Sequence, residues 1–140
     1  MSALVLDGSI ALSWVLPDEL SPQTNTVLAV IEAGRKTIVP VHWALEVANA
    51  LWMAERRKRI SPADTTAALA VFRRIPIEID PETGSKAGSD TLALARQHTL
   101  SIYDAAYLEL AMRRGAALAS LDEPLRAAAR KLGVPLLPEK

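Results

Sequence analysis

Short apolar runs alternate along this chain with longer segments in which apolar residues recur at helical spacing. A continuous apolar run of about 4–8 residues is typical of a strand buried on both faces, whereas apolar residues three and four apart indicate one face of a helix. Such runs predict strands at residues 3–6, 37–39, 75–79, 116–120 and 134–137. Because Pro76 cannot donate a backbone hydrogen bond, the third strand is predicted to lie at an edge of its sheet.

The longer segments carry signals for where helices begin and end. Ser21 and Ser61 each precede a proline, as an N-cap precedes the first helical turn, and Gly34 and Gly115 mark helix ends. Helices are predicted at about residues 10–16, 22–33, 43–59, 62–74, 81–98, 102–114 and 124–132. This alternation predicts an α/β fold, with a mainly parallel central sheet of about five short strands flanked by helices.

Composition adds limits on class and location. The chain has 140 residues, 50% of them hydrophobic and 23% charged, which fits one globular domain over residues 1–140. The absence of cysteine excludes disulfides, thiolate zinc sites and a cysteine nucleophile. The first apolar run has no cationic region before it, and no apolar stretch reaches the ~18 residues of a membrane span. We therefore expect a cytoplasmic protein without membrane contact.

Four acidic residues occupy positions that a parallel sheet would bring together. Asp7 and Asp122 directly follow predicted strands, and Glu46 and Asp104 lie in the first turns of predicted helices. In an open parallel sheet, ligands gather at the carboxyl ends of the strands, and the helices that follow strands begin at that same edge. All four carboxylates are therefore predicted to converge on one site.

Such a cluster implies a cation, because neighbouring carboxylates repel one another. Hard oxygen ligands favour Mg²⁺ or Mn²⁺, and an ion of this kind can activate water for attack on a phosphodiester. The sequence leaves open whether one or two ions bind.

Each of these acids also has a structural interpretation when it is taken alone. Asp7 and Asp122 could cap helices, Glu46 could be a first-turn acid favoured by the helix dipole, and Asp104 could form a capping box with Ser101. Ser9, in turn, is either the N-cap of the first helix or a support for Asp7.

Segments across nearly the whole chain resemble PIN domains, and specifically the VapC-like ribonuclease toxins of type II toxin–antitoxin modules. The most specific segment is Tyr103-Asp104-Ala105-Ala106-Tyr107. The other segments that carry the resemblance are residues 4–14, 46–52, 100–111 and 118–122.

The resemblance implies an endoribonuclease with a single PIN-like domain and a four-acid site. It implies that Asp7 and Asp104 hold Mg²⁺, or Mn²⁺, and that Glu46 and Asp122 complete the catalytic pocket. It further implies an RNA substrate, a cognate antitoxin protein and a homodimer. Ser120 stands where many relatives have threonine, which also supplies a hydroxyl.

Two other functions remain open. One is a non-catalytic PIN-like interaction module, in which the acids are only caps and solubilising groups. The other is a phosphatase of the haloacid-dehalogenase type, but this class needs a second acid two residues after its nucleophile, where the chain has Ser9.

The charge pattern and the tryptophans allow more than one interpretation. The formal net charge is zero, whereas nucleic-acid binders usually show a basic excess. The basic run at residues 56–59 could bind RNA phosphates or could simply be a solvated helix end. Trp14, Trp43 and Trp52 could pack in the core, in a dimer or against the antitoxin; the core is the expectation for Trp43 and Trp52.

Overall fold

A five-stranded parallel sheet forms the centre of the computed structural model, which describes residues 2–139. The strand order is β3-β2-β1-β4-β5, and all four neighbouring pairs are parallel. The predicted α/β class, with about five short parallel strands, is confirmed, and β3 lies at an edge as Pro76 indicated. The strands are β1 (Leu4–Leu6), β2 (Thr37–Val39), β3 (Ile77–Ile79), β4 (Ala117–Ala119) and β5 (Leu136–Leu137).

Helices connect and cover the strands. They are α1 (Gly8–Ser13), α2 (Pro22–Glu32), α3 (Trp43–Arg56), α4 (Pro62–Arg73), α5 (Thr83–Lys86), α6 (Leu92–His98), α7 (Ile102–Arg114) and α8 (Glu123–Lys131). The N-cap of α4 is a complete capping box between Ser61 and Asp64, and Ser21 caps α2. Both helix starts agree with the sequence signals.

Two predicted helices differ from the structure. The segment predicted as one helix over residues 81–98 contains a π-helical stretch, Ala87–Thr91, between α5 and α6. Gly84 and Gly88 lie in this region and lower its helix propensity. The predicted helix over residues 10–16 ends at Ser13, and Leu16 is extended, as is usual for a residue before proline.

The core lies on both faces of the sheet, and β1, β2 and β4 are buried at every residue. On α3, Trp43, Val47, Leu51 and Ala54 are buried in a helical stripe, which confirms the expectation for Trp43. The expectation for Trp52 was wrong: its side chain is 55% exposed, because one step of about 100° along the helix turns it away from the stripe at Leu51.

The topology places the loops after β1 and β4 side by side, because these two strands are direct neighbours. Helix α3 follows β2, the other neighbour of β1, and so begins near the same edge. Helix α7 leads into the start of β4, so its own first turn lies at the opposite, carboxyl edge of the sheet. Within residues 2–139, no helix is long and apolar enough to cross a membrane.

Candidate acidic active site

The structure brings the four predicted acids to the carboxyl edge of the sheet. Asp7 is the N-cap residue of α1, Asp122 is that of α8, and Glu46 and Asp104 lie in the first turns of α3 and α7. Their charges act on one another. Glu46 and Asp122 raise the pKa of Asp7, and Asp122 and Asp7 raise the pKa of Asp104. The four acids therefore lie at the same edge of the sheet, and the charge of each one acts on at least one other.

Burial is the main cause of both pKa shifts. Asp7 is almost completely buried, and desolvation raises its pKa above the usual aspartate value more than its hydrogen bonds to two serines lower it. Desolvation is also the largest contribution to the raised pKa of Asp104. The metal-free pocket thus disfavours the negative charges that its residues carry in water.

The two oxygens of the Asp7 carboxylate have different surroundings. The hydroxyls of Ser9 and Ser120 both donate to Oδ2, at 2.9 and 2.7 Å. Among the residues that the structure describes, no side chain or backbone group donates to Oδ1. Oδ1 is therefore the oxygen of Asp7 that remains available to a cation.

The same two serines tie the end of β1 to the loop after β4. The Ser9 hydroxyl accepts a hydrogen bond from the backbone N–H of Leu121 at 3.0 Å, and the Ser120 hydroxyl accepts one from that of Asp122 at 3.0 Å. Of the two interpretations open for Ser9, the structure favours support of Asp7, since its side chain does not cap α1.

Glu46 is held by a buried tyrosine. The Tyr107 hydroxyl donates to Oε1 of Glu46 at 2.6 Å, and Nε2 of His42 lies 3.4 Å from the same oxygen. Burial first, and then the hydrogen bond to Glu46, raise the pKa of Tyr107 far above its usual value, so the phenol stays protonated. Sequence reasoning missed both neighbours. The signal for Tyr107 was its position three residues after Asp104, on the same side of a helix.

Asp122 and Asp104 differ in how far capping uses them. Oδ2 of Asp122 accepts the backbone N–H of Leu125 at 3.1 Å, so its capping interpretation is confirmed. The Ser101 side chain accepts the backbone N–H of Asp104 at 3.1 Å. Within the part of the chain that the structure describes, the reciprocal bond of a capping box, from the backbone N–H of Ser101 to the Asp104 carboxylate, is not formed. Burial raises the pKa of Asp104, and the Ser101 hydroxyl also lowers it, but this effect is smaller than that of burial.

The donor set fits a hard divalent cation. All four acids offer carboxylate oxygens, which are the ligands that Mg²⁺ and Mn²⁺ prefer. Across residues 2–139, however, no three acidic, histidine or cysteine side chains are placed so that they could hold one ion between them. Three protein ligands are not required for Mg²⁺, which is usually bound through one or two carboxylates and retains several waters.

The basic run at residues 56–59 lies at the end of α3, and one member is already engaged. Arg59 donates to Asp18 at 2.7 Å and to Glu19 at 2.9 Å, which favours a structural role for this residue. The Arg56 guanidinium lies 6.0 Å from the centroid of the Trp52 ring.

The chain belongs to the PIN-domain family, whose sequence model matches residues 4–131. It is 31% identical to ribonuclease VapC3 of Pyrobaculum aerophilum over 122 residues, which cover 87% of this chain and 91% of that protein. It is also 35% identical over 86 residues to ribonuclease VapC3 of Mycobacterium tuberculosis, with 61% of this chain and 60% of the relative covered. The resemblance to VapC-like proteins is confirmed.

Solved structures share the fold. The crystal structure of PAE2754 from Pyrobaculum aerophilum matches with a TM-score of 0.71 and 22% identity, covering 98% of this chain and 85% of that one. The structure of VapBC2 from Rickettsia felis bound to a promoter DNA fragment matches with a TM-score of 0.64 and 14% identity, covering 96% of each chain. At these identities the likeness concerns the fold alone.

Proposed function

We propose that this protein is a metal-dependent endoribonuclease and the toxin of a type II toxin–antitoxin module. The observation that carries the proposal is the meeting of Asp7, Glu46, Asp104 and Asp122 at one sheet edge, where the pKa values of Asp7 and Asp104 are raised. A divalent cation would stabilise the ionised form of these acids against both burial and their mutual repulsion. Membership of the PIN-domain family and the similarity to ribonucleases named VapC3 support RNA as the substrate.

Each acid has its own part in the proposed site. Asp7, through Oδ1, and Asp104 hold Mg²⁺ or Mn²⁺, and the hydroxyls of Ser9 and Ser120 keep Asp7 in one orientation. When bound, the ion supplies polarisation of the phosphate and makes a nearby water more acidic. Glu46 and Asp122 complete the negative pocket around it.

The reaction adds one water across a P–O bond of RNA. The water oxygen forms a bond to phosphorus, the bond to the leaving ribose oxygen breaks, and that oxygen gains a proton. The chain's own carboxylates hold the reacting groups in place rather than forming a covalent bond with the substrate.

The test is cleavage of total bacterial RNA by the purified protein with Mn²⁺, Mg²⁺ or EDTA. We expect discrete fragments with metal, none with EDTA, and none from Asp7→Asn or Asp104→Asn. Asp90→Asn is the matched control, since Asp90 is an exposed aspartate of the π-helical stretch. Mn²⁺ should also raise the melting temperature of the wild type but not of Asp7→Asn. Absence of both cleavage and a Mn²⁺ response would instead support a non-catalytic interaction module.

The proposed toxin acts as a homodimer and is inhibited by a cognate antitoxin protein. Similarity to VapC3 ribonucleases supports the antitoxin partner. The dimer is supported by exposed apolar side chains on and before α3: Val41 is 60% exposed and Leu45 is 75% exposed. Isolated exposed apolar residues are ordinary, but a cluster of them marks a candidate protein interface.

Sedimentation equilibrium tests the dimer. We expect twice the chain mass of 15.1 kDa for the wild type and a shift to monomer for Leu45→Glu. Met112→Glu, on α7, is the control because Met112 is an exposed apolar residue on another element. A wild type that stays monomeric at high concentration would exclude the homodimer.

A further inference from the structure

Tyr107 is a fully buried phenol whose hydroxyl reaches a site acid on another helix. Its side chain has no solvent exposure, and its hydroxyl donates to Oε1 of Glu46 at 2.6 Å. Tyr107 lies on α7 and Glu46 on α3, 61 residues earlier. The bond therefore links two elements that meet only in the folded protein.

The chemistry of this pair allows one direction of donation. A phenol that remains protonated offers one O–H donor, and an ionised glutamate is an acceptor only. Desolvation and the neighbouring charges of Glu46, Asp7 and Asp104 all keep Tyr107 protonated. Tyr107 is thus unsuited to act as a base or as a nucleophile, and what it provides is a fixed donor.

A fixed donor matters because Glu46 is otherwise free to move. The Glu46 side chain is 37% exposed, and an unrestrained glutamate of this kind has several rotamers available. The bond from Tyr107 restrains Oε1. His42 Nε2 lies 3.4 Å from the same oxygen, but its nearer partner is the backbone oxygen of Tyr103 at 3.1 Å. Oε2 accepts no hydrogen bond from any residue that the structure describes, so it is the oxygen left for the acidic pocket.

The anchor itself is rigid. Tyr107 belongs to seven consecutive buried residues of α7, so its ring cannot move without disturbing the core. Asp104 lies one helical turn before it on the same helix. Helix α7 therefore supplies one acid of the site directly and fixes the orientation of a second.

We propose that Tyr107 is a positioning residue for the nuclease reaction, which holds the Glu46 carboxylate in its working orientation through its hydroxyl. This inference rests on the proposed ribonuclease function. Tyr107 does not reach the proposed ion or the RNA itself and acts only through Glu46, which completes the acidic pocket.

The first test is Tyr107→Phe, which keeps the ring and removes the hydroxyl. The variant should fold, because the partly exposed Glu46 can replace the lost bond with water. We expect kcat to fall about 10- to 100-fold, as is typical when a residue that orients an active-site ligand is lost, with KM for RNA unchanged. Tyr103→Phe is the matched control, since Tyr103 is the other tyrosine of the chain and its ring is exposed. It should cleave RNA at the wild-type rate.

The second test detects the hydrogen bond without any need for activity. Because the chain has two tyrosines, the Tyr103→Phe protein contains Tyr107 as its single tyrosine. The ring doublet in its Raman spectrum reports whether the hydroxyl is a strong donor. We expect a strong-donor spectrum in Tyr103→Phe and its loss in Tyr103→Phe combined with Glu46→Ala.

The outcomes separate this inference from the proposed function. Tyr107→Phe that cleaves RNA at the wild-type rate would overturn the positioning role. A slower Tyr107→Phe whose tyrosine spectrum does not depend on Glu46 would overturn it as well, because the residue would then act by another route. A wild type without any nuclease activity would refute the proposed function, while the spectrum would still decide whether Tyr107 holds Glu46.

Discussion

Burial of Asp7 lowers the stability of the folded, metal-free protein. Its pKa is raised, chiefly by burial, so the folded state binds the Asp7 proton more tightly than the unfolded chain does. Its contribution to stability is therefore fully present below the unfolded pKa, near 4, and is lost as the pH rises through the higher folded pKa. At neutral pH, where Asp7 is ionised in the unfolded chain, burial of this acid therefore destabilises the metal-free protein.

Asp7→Asn should consequently stabilise the metal-free protein while removing its function. The amide keeps the size and an acceptor oxygen but carries no charge. A gain of about 1 kcal/mol would raise the melting temperature in EDTA at pH 7 by roughly 3–5 °C for a chain of this length. Circular dichroism melts of both proteins give the difference.

The pH dependence of that difference is its control. The gain should disappear below about pH 4, where Asp7 of the wild type is protonated in the unfolded chain as well as in the folded protein. A variant that melts lower than the wild type at pH 7 would show that the charge of Asp7 does not destabilise the metal-free fold.

Helix α7 runs from the acidic site, at the carboxyl ends of the strands, to the opposite ends, where β4 begins. Ser101 caps its start and Gly115 caps its end. Gly115 takes the left-handed conformation at φ +59°, and the N–H of Ala116 then donates to Ala111 O at 2.8 Å. The chain turns directly into β4, whose Ala117 pairs with Leu4. The glycine therefore sets the register between the end of α7 and the central strand.

Gly115→Ala should destabilise the protein by about 1 kcal/mol, because an L-residue with a side chain is strained in the left-handed region. Space is not the reason, since a Cβ at this position meets nothing within 4 Å. Urea unfolding measures the loss. Gly84→Ala is the control: its Cβ also enters open space, but its φ is not positive, and we expect no loss there. Equal losses at both positions would contradict the conformational explanation.

Across the whole molecule, a buried ion-pair network joins the edge strand to α7. Arg113 donates to Asp80 at 2.6 Å, just beyond β3, and to Glu109 at 2.8 Å. Burial alone would raise the pKa of Asp80, but the hydrogen bonds from Arg113, Thr83 and the backbone of Glu82 outweigh it and hold the pKa below its usual value. Asp80 therefore stabilises the fold above the unfolded pKa, and this contribution is lost as the pH falls, which is opposite in sign to Asp7.

Arg113→Met should be strongly destabilising, because it leaves the carboxylates of Asp80 and Glu109 buried without their cation. Breaking a buried pair in this way costs about 3 kcal/mol or more. Arg114→Met is the neighbouring control: Arg114 pairs with Glu78, and both side chains are partly exposed, so the loss should stay below about 1 kcal/mol. Denaturant titrations at pH 7 give the loss in free energy of unfolding for each variant. Similar losses would show that the buried pairs of Arg113 contribute no more to stability than the exposed pair of Arg114.

The sequence predicts those features that follow from local pattern and topology. Apolar runs identified the strands, and the rule that parallel strands share a carboxyl edge was enough to bring Asp7 and Asp122 together. The bond from Tyr107 to Glu46 was not predictable, because it depends on how α7 packs against α3, and the two residues are 61 positions apart in the sequence. The exposure of Trp52 was mispredicted for a different reason. Periodicity places a residue on a helix face only to within one step of rotation, and that step turns Trp52 away from the buried stripe.

The bond from Ser120 to Asp7 joins residues 113 positions apart, and it has a consequence for how the site comes into being. A chain is synthesised from its N-terminal side, so β1 emerges from the ribosome before β4 and lacks this neighbour until most of residues 2–139 have been made. Asp7, Glu46 and Asp104 cannot meet Asp122 before that moment. A nascent chain therefore carries no assembled acidic pocket beside the messenger RNA from which it is being translated, and the pocket forms only as synthesis of this region ends.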